Sequence, residues 1–386
     1  MKTTRNKTAS VGYLLLLMVA LLLFSQCKIY TAYKDILSLH HEELTSDEKG
    51  KPRLEYFNSI PIIHVYGSPY EMGFQYGSLL KSQLNSLSEL ARDLFSAKRL
   101  NEFMSIAKAA STNLPPAMFE EIKGMADASG VDLNDLLAIN LVPRTNCSTL
   151  AVWGDATTDG HLIMGRNADY SFKNVNKALG ILVVKHPEKG LATVTSSFLG
   201  MIGGFSGMNE KGVSYGNMLS HNGKEKKYDT RGLSIQILLQ LGGQQFSNAR
   251  EMARFMSGQI QITPNNVMCA DNNEALVIEC AQTQSAIREG QKGVLSATNH
   301  FVTPSLCSKH TNCERFATLM QHARKNYGNY TVEKVQEAMH LARMKGKNLQ
   351  CVIFEPEYKT IHLSINKVPA SKGPFTTIKI EELLNN

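Results

Sequence analysis

The sequence predicts an α+β fold, with two sheets and helices packed on their outer faces. Three observations lead there. Residues 60–145 read as mostly helical. From Cys147 onward the hydrophobic pattern changes to that of strands. Helical segments then interrupt the strands, an order that suits sheets covered by helices. The 386 residues are enough for one large domain or two ordinary ones.

The helices are read from caps and spacing. Ser68-Pro69-Tyr70-Glu71 starts one, with Ser as N-cap, Pro in the first turn and Glu at the third position. Leu80, Leu84, Leu87, Ala91 and Leu94 recur at steps of four and three, which makes one face. That stripe reads as core rather than as a lipid groove. A second helix begins near Pro115-Pro116, runs through Met118, Ile122, Met125 and Ala126, and stops at Gly130. A third covers 133–139.

Strands are expected at 149–153, 162–166, 181–185, 192–197, 213–218, 267–270, 276–280, 294–297, 349–354 and 360–365. Asp159-Gly160, Glu210-Lys211-Gly212 and Asp271-Asn272-Asn273 are turn signals between them, and Asn209 with Gly212 reads as a hairpin turn. Helices interrupt at 233–241, 248–256, 314–324 and 332–344. Residues 28–58 are polar and mixed, a tether or first hairpin. There is no internal repeat.

Residues 1–26 read as an export signal. Lys2, Arg5 and Lys7 precede an apolar run over residues 14–24, too short for a membrane span of about 20 residues. Cys27 sits where a lipoprotein cysteine would, although Gln26 stands where a small residue is usual. The expectation is an exported protein held at the membrane by a lipid on Cys27 or by the N-terminal segment, or else secreted. The net charge is +7, and +4 without the three N-terminal cations. With no dense basic stripe, the sequence argues against a nucleic-acid partner. Seven cysteines are present. Cys307 with Cys313, and Cys269 with Cys280, could each bridge in an oxidising compartment. No Cys/His cluster has zinc spacing.

The chemistry concentrates at Asn146-Cys147-Ser148-Thr149 and, nineteen residues beyond the cysteine, Gly165-Arg166-Asn167-Ala168-Asp169. If 149–153 and 162–166 are antiparallel, Arg166 and Asp169 return to Cys147. A guanidinium near sulfur favours thiolate, and a carboxylate can orient an amine. The arrangement suits an N-terminal nucleophile: scission between Asn146 and Cys147 frees an α-amine with a pKa of about 8, which takes the thiol proton. That chemistry needs no histidine, metal or cofactor. By spacing alone, a surface ion pair at a strand end is an equal reading of Arg166 and Asp169. His161 and His300 read as structural or exposed, and Trp153 as core.

Cys147-Ser-Thr-Leu-Ala-Val-Trp-Gly and Asp159-Gly-His-Leu-Ile-Met-Gly-Arg-Asn-Ala-Asp-Tyr170 resemble the acyl-coenzyme A:6-aminopenicillanic acid acyltransferase family. They are similar, more distantly, to choloylglycine hydrolases and acid ceramidase-like amidases. The resemblance extends to Gly67-Ser-Pro-Tyr-Glu-Met-Gly-Phe-Gln-Tyr-Gly77, Glu120-Glu-Ile-Lys-Gly-Met-Ala126, Gly207-Met-Asn-Glu-Lys-Gly-Val213 and Ala297-Thr-Asn-His-Phe301, over roughly residues 55–370.

The resemblance implies a four-layer αββα sandwich with two antiparallel sheets. It implies a largely helical propeptide or α-chain (28–146) that stays associated with a β-chain (147–386). Cys147 would be the nucleophile, and Arg166 and Asp169 would set its ionisation and position. Asn299 would be the oxyanion-hole asparagine, Asn217 a second asparagine on that side, and Arg315 a further site arginine. The substrate would be a small N-acyl amide, resolved by water or by another amine. Asn146 departs from the glycine expected before the nucleophile. Two rivals remain: a Cys–His peptidase without self-cleavage, and a non-enzymatic exported binding lipoprotein of the same fold.

Overall fold

Ser68 and Pro69 start a helix as the sequence indicates. In the computed structural model the Ser68 hydroxyl accepts from the Glu71 N–H at 3.4 Å, and the Glu71 carboxylate accepts from the Ser68 N–H at 2.8 Å, closing a capping box. The structure describes residue 34 and residues 50–141, 146–170, 179–221, 228–309 and 311–385. The segment expected to be an export signal and Cys27 lie outside the described residues, and no helix within the described residues is long and apolar enough to cross a membrane.

The first elements are a hairpin, β1 (Arg53–Phe57) and β2 (Ile60–Gly67), turning on Asn58 and Ser59, both at positive φ. Five helices follow: α1 (Pro69–Leu79), α2 (Lys81–Leu94), α3 (Ala97–Ser111), α4 (Pro116–Ser129) and α5 (Leu133–Leu141). α1 and α4 pack backbone against backbone. A Cβ on Gly73 would lie 1.8 Å from the Glu121 carbonyl oxygen, and one on Gly124 2.2 Å from that of Tyr70. The glycines of the two upstream motifs therefore serve packing. Gly130 ends α4 at φ 79, a left-handed cap that glycine adopts without a Cβ clash.

Next come β3 (Asn146–Gly154), β4 (Gly160–Asp169), β5 (Gly180–Pro187), β6 (Thr193–Phe198), β7 (Ser206–Asn209) and β8 (Ser214–Leu219). α6 (Ile235–Gln245) and α7 (Ala249–Ser257) precede β9 (Asn265–Ala270), β10 (Ala275–Ala281), β11 (Gln284–Glu289) and β12 (Val294–Ala297). α8 (Glu314–Lys325), α9 (Val332–Ala342), β13 (Asn348–Glu355), β14 (Thr360–Ile365), β15 (Thr376–Lys379) and α10 (Ile380–Leu384) complete the chain. All ten strands expected after Cys147 are present. One sheet has nine strands in the order β1-β2-β5-β6-β7-β8-β9-β10-β11, and the other six, β12-β3-β4-β13-β14-β15.

Strand alternation builds the layers. Leu182 and Val184 of β5 meet Met164 of β4 and Val352 of β13 between the sheets. Ile181 and Val183 face α1, α4 and α5. On the same sheet, Val267 and Ile278 pack under α6 and α7. Leu150, Val152 and Ile353 of the smaller sheet face α8 and α9. Helices, sheet, sheet, helices is the four-layer αββα sandwich. One expectation needs correction: β2 pairs with β5 in parallel, so the larger sheet is mixed and not antiparallel. The segment before Cys147 carries five helices and also supplies the β1–β2 hairpin to that sheet.

That segment is tied to the rest by a buried ion pair. Glu121 of α4 and Lys185 of β5 are in direct contact, and Gln240 Nε2 donates to the second Glu121 oxygen at 2.6 Å. Burial drives the Lys185 pKa down, while Glu121 pulls it back. Removing one partner would strand a buried charge, at a cost of about 3–5 kcal/mol.

Candidate active site

The same alternation aims the site. Cys147 and Ala151 of β3 point between the sheets, as do Leu162 and Met164 of β4; Arg166 belongs to that even-numbered face. In register, Cys147 lies opposite Ala168 and Thr149 opposite Arg166, which makes Cys147 and Arg166 diagonal neighbours on one face. Both are wholly buried, and Arg166 Nη2 donates to Cys147 Sγ at 2.9 Å. The arginine also donates from Nε and Nη2 to the Asn217 carbonyl oxygen, at 3.3 and 3.0 Å. Its stem runs over Gly216, where a Cβ would stand 3.2 Å from Arg166 Cδ.

The loop after β12 brings Asn299 across. Its Oδ1 accepts from the Cys147 N–H at 3.0 Å and from Arg315 Nη2 at 2.6 Å. Its Nδ2 donates to the Leu219 carbonyl at 2.5 Å; the second amide hydrogen remains. Arg315, at the start of α8, also donates from Nη1 to the Cys147 carbonyl at 2.9 Å and stands 3.6 Å from Asp169 Oδ2. Arg315 thus meets Cys147 and Asn299, although its side chain is partly exposed.

Two expectations change. Asp169 is odd-numbered on β4 and points away from the inner face, so its partner is Asn348 Nδ2 at 2.9 Å. In the uncut chain, Asn299 is the acceptor for the Cys147 nitrogen. Burial raises the Asp169 pKa to about 6, against the pull of Asn348 and Arg315. Asn217 meets the site through its main-chain carbonyl, because its side-chain Nδ2 donates to Asn265 Oδ1 at 3.1 Å.

Sequence reasoning missed three residues. Asn348 begins β13 at a register shift and follows Gly346-Lys347, so it reads as part of a turn. Asn265 follows Pro264 and reads the same way. His221 Nε2 lies 2.7 Å from Asn146 Oδ1, a contact no local pattern signals. His300 bonds Thr298, and His161 bonds Glu355. The six described cysteines form no disulfide. Cys269 and Cys280 stand opposite Leu276 and Asn265, four residues out of step. Cys307 and Cys313 bond separately, to the Phe301 carbonyl and the Thr298 hydroxyl. Among the described residues, no group of three His, Cys, Asp or Glu could hold a metal.

A cavity of about 740 Å³ adjoins the site, within the range of small-molecule pockets. Asn146 and His221 stand in its wall, and Leu87, Phe95, Phe103 and Phe205 supply apolar lining. Leu87 and Ala91 line this cavity, which corrects the reading of the whole leucine stripe as core. Leu84 remains core.

The sequence profile of the family described as acyl-coenzyme A:6-aminopenicillanic acid acyl-transferase matches residues 156–370, which include Arg166, Asp169, Asn217, Asn299 and Arg315 and begin downstream of Cys147. Protein dcd1B of Dictyostelium discoideum is 32% identical over 203 residues, 43% of this chain and 41% of that protein. The chain spans about half the length of the curated relatives it matches. Among solved structures, the Caenorhabditis elegans N-acylethanolamine-hydrolyzing acid amidase ortholog is 14% identical with a TM-score of 0.44, covering 54% of this chain and 93% of that one. Penicillin V acylase from Agrobacterium tumefaciens is 14% identical with a TM-score of 0.41, covering 61% and 92%. With more than half of its residues matched by the family profile, the chain belongs to the acyl-coenzyme A:6-aminopenicillanic acid acyltransferase family.

Proposed function

We propose that the chain is a self-processing cysteine amidase that cleaves the linear amide bond of an N-acyl substrate. The observation that carries the reading is the double engagement of Cys147: Arg166 at its sulfur and Asn299 at its nitrogen, 2.9 and 3.0 Å away. A guanidinium beside the sulfur, where a Cys–His peptidase would place an imidazole, supports the N-terminal-amine mechanism.

In maturation the Cys147 sulfur attacks the Asn146 carbonyl carbon. The C–N bond breaks, its nitrogen becomes the free α-amine, and water hydrolyses the thioester. Asn146 lines the cavity while Cys147 is wholly buried, so scission is the event that joins nucleophile and cavity. In turnover the α-amine takes the thiol proton and the thiolate attacks the substrate carbonyl. The second Asn299 amide hydrogen meets the oxyanion, and the ammonium protonates the leaving amine. Water, or a second amine, resolves the S-acyl enzyme. The basic and then apolar sequence of residues 1–24 supports export, and with it chemistry outside the cytosol. Acyl-coenzyme A is scarce there, which favours hydrolysis.

The apolar cavity favours substrates with a long apolar acyl group. Each buried methylene is worth about 0.8 kcal/mol, roughly fourfold in binding. Across N-acyl amides of increasing chain length, kcat/KM is expected to climb by about that factor per carbon until the cavity is filled. A panel in which acetyl amides match decanoyl amides would contradict the assignment.

Asp169 adds a second acid limb. Its raised pKa of about 6 means that the carboxyl is neutral below that pH and charged above it. Only the carboxylate balances Arg315, which holds Asn299 and the Cys147 carbonyl. The α-amine base already lowers turnover about tenfold per pH unit below its pKa of about 8, so the fall is expected to steepen to about a hundredfold per unit below 6. Asp169→Asn should remove that second limb from the residual activity, and a wild-type profile that keeps a single slope to pH 5 would exclude the role.

A further inference from the structure

The peptide bond between Asn146 and Cys147 is held unevenly. On the Cys147 side the nitrogen is bonded to Asn299 Oδ1, the carbonyl to Arg315 and the sulfur to Arg166. On the Asn146 side stands the imidazole of His221. Its Nε2 is 2.7 Å from Asn146 Oδ1; the amide oxygen can only accept, so the ring nitrogen carries the proton. The His221 main-chain N–H in turn donates to the Asn299 carbonyl at 2.9 Å. Asn299 therefore supports both flanks of the bond, one through its side chain and the other through its backbone and His221.

We propose that His221 is a positioning residue for self-scission, holding the Asn146 side chain so that its carbonyl carbon faces the Cys147 sulfur. The proposal rests on the self-processing reading and deepens it. Asn146 is bulkier than the glycine expected at that position, and its side chain extends into a largely apolar cavity wall. An unheld carboxamide could turn there, carrying the Asn146 backbone and its carbonyl with it. A misdirected carbonyl lowers the fraction of chains in a geometry that permits attack. His221 anchors the polar tip and removes that freedom.

The test follows scission of the full chain in a cell-free translation pulse, timed by the appearance of a fragment beginning at Cys147. One hydrogen bond of ordinary strength corresponds to a fivefold to tenfold effect, roughly. His221→Ala is expected to slow scission by that factor. His221→Gln, which keeps an N–H donor, should recover most of the rate.

The decisive comparison uses Asn146→Ala, which removes the group His221 holds. In that background His221→Ala should add nothing further. Equal slowing by His221→Ala in both backgrounds would mean a merely structural histidine and overturn the proposal. So would an unchanged rate in the wild-type background. A wild-type chain that never cuts would overturn the self-processing reading and this proposal with it, an outcome distinct from the other two.

Discussion

Cys147→Ala is expected to lose roughly 10⁶-fold in amide turnover, the scale seen when the nucleophile of a covalent hydrolase is removed. The loss should appear in kcat, because the nucleophile is gone; the variant also stays uncut, with Asn146 still in the cavity wall. Two readouts separate this from general damage. The wild type, mixed with a slow N-acyl substrate and quenched, should carry an acyl adduct on Cys147, whereas the variant should carry none. The variant should also melt within a few degrees of the uncut chain, since alanine in place of a small buried thiol leaves little void. An acyl adduct on any other residue would remove Cys147 from the mechanism.

Arg166→Met is expected to lower kcat/KM by roughly 10³-fold while leaving the fold no less stable. The first effect follows from removing the cation beside the sulfur, a loss comparable to that of an oxyanion donor. The second follows from burial. Arg166 is wholly buried, and Asp169 Oδ2 pairs with Arg315 and not with it. A buried cation balanced only at a distance costs stability, and an apolar side chain of similar length can relieve it. Arg166→Lys keeps charge but loses the fork that spans Cys147 Sγ and the Asn217 carbonyl, so it should fall between the two in activity. Denaturant midpoints and initial rates on the three proteins check both arms. An Arg166→Met protein with wild-type turnover would show that the 2.9 Å contact to sulfur is incidental.

Much of this architecture was legible in the residues. Short apolar runs from Cys147 onward located the strands, because those strands are buried on both faces and several are bounded by Asp, Asn or Gly turns. Caps at Ser68 and Gly130 fixed two helices. The losses have physical causes. β1 and β2 were obscured by Pro61 and by the long-range, parallel pairing of β2 with β5, which leaves no local trace. β11 is largely exposed, as Gln284-Ser285-Ala286-Ile287-Arg288-Glu289, and lacks the apolar signature of its neighbours. β7 has four residues, one of them Gly207.

At the site, spacing brought Arg166 and Asp169 near Cys147 together, yet the parity of their numbers already places them on opposite faces of β4. That parity is why Arg166 meets the sulfur and Asp169 meets Asn348. Asn299 and Arg315 were legible only through family resemblance, since 152 and 168 residues separate them from Cys147. His221 and Asn348 had no sequence signal, because a single polar residue beside a turn resembles any other.

The central claim is that this chain cuts itself before Cys147, and intact-mass measurement with N-terminal sequencing of the purified wild type, beside Cys147→Ala, tests it most directly. The account expects two wild-type chains that stay associated, the second beginning at Cys147, and one unbroken chain in the variant. A wild-type chain that hydrolyses N-acyl amides while remaining whole would contradict it, because the base would then have to be something other than the Cys147 amine.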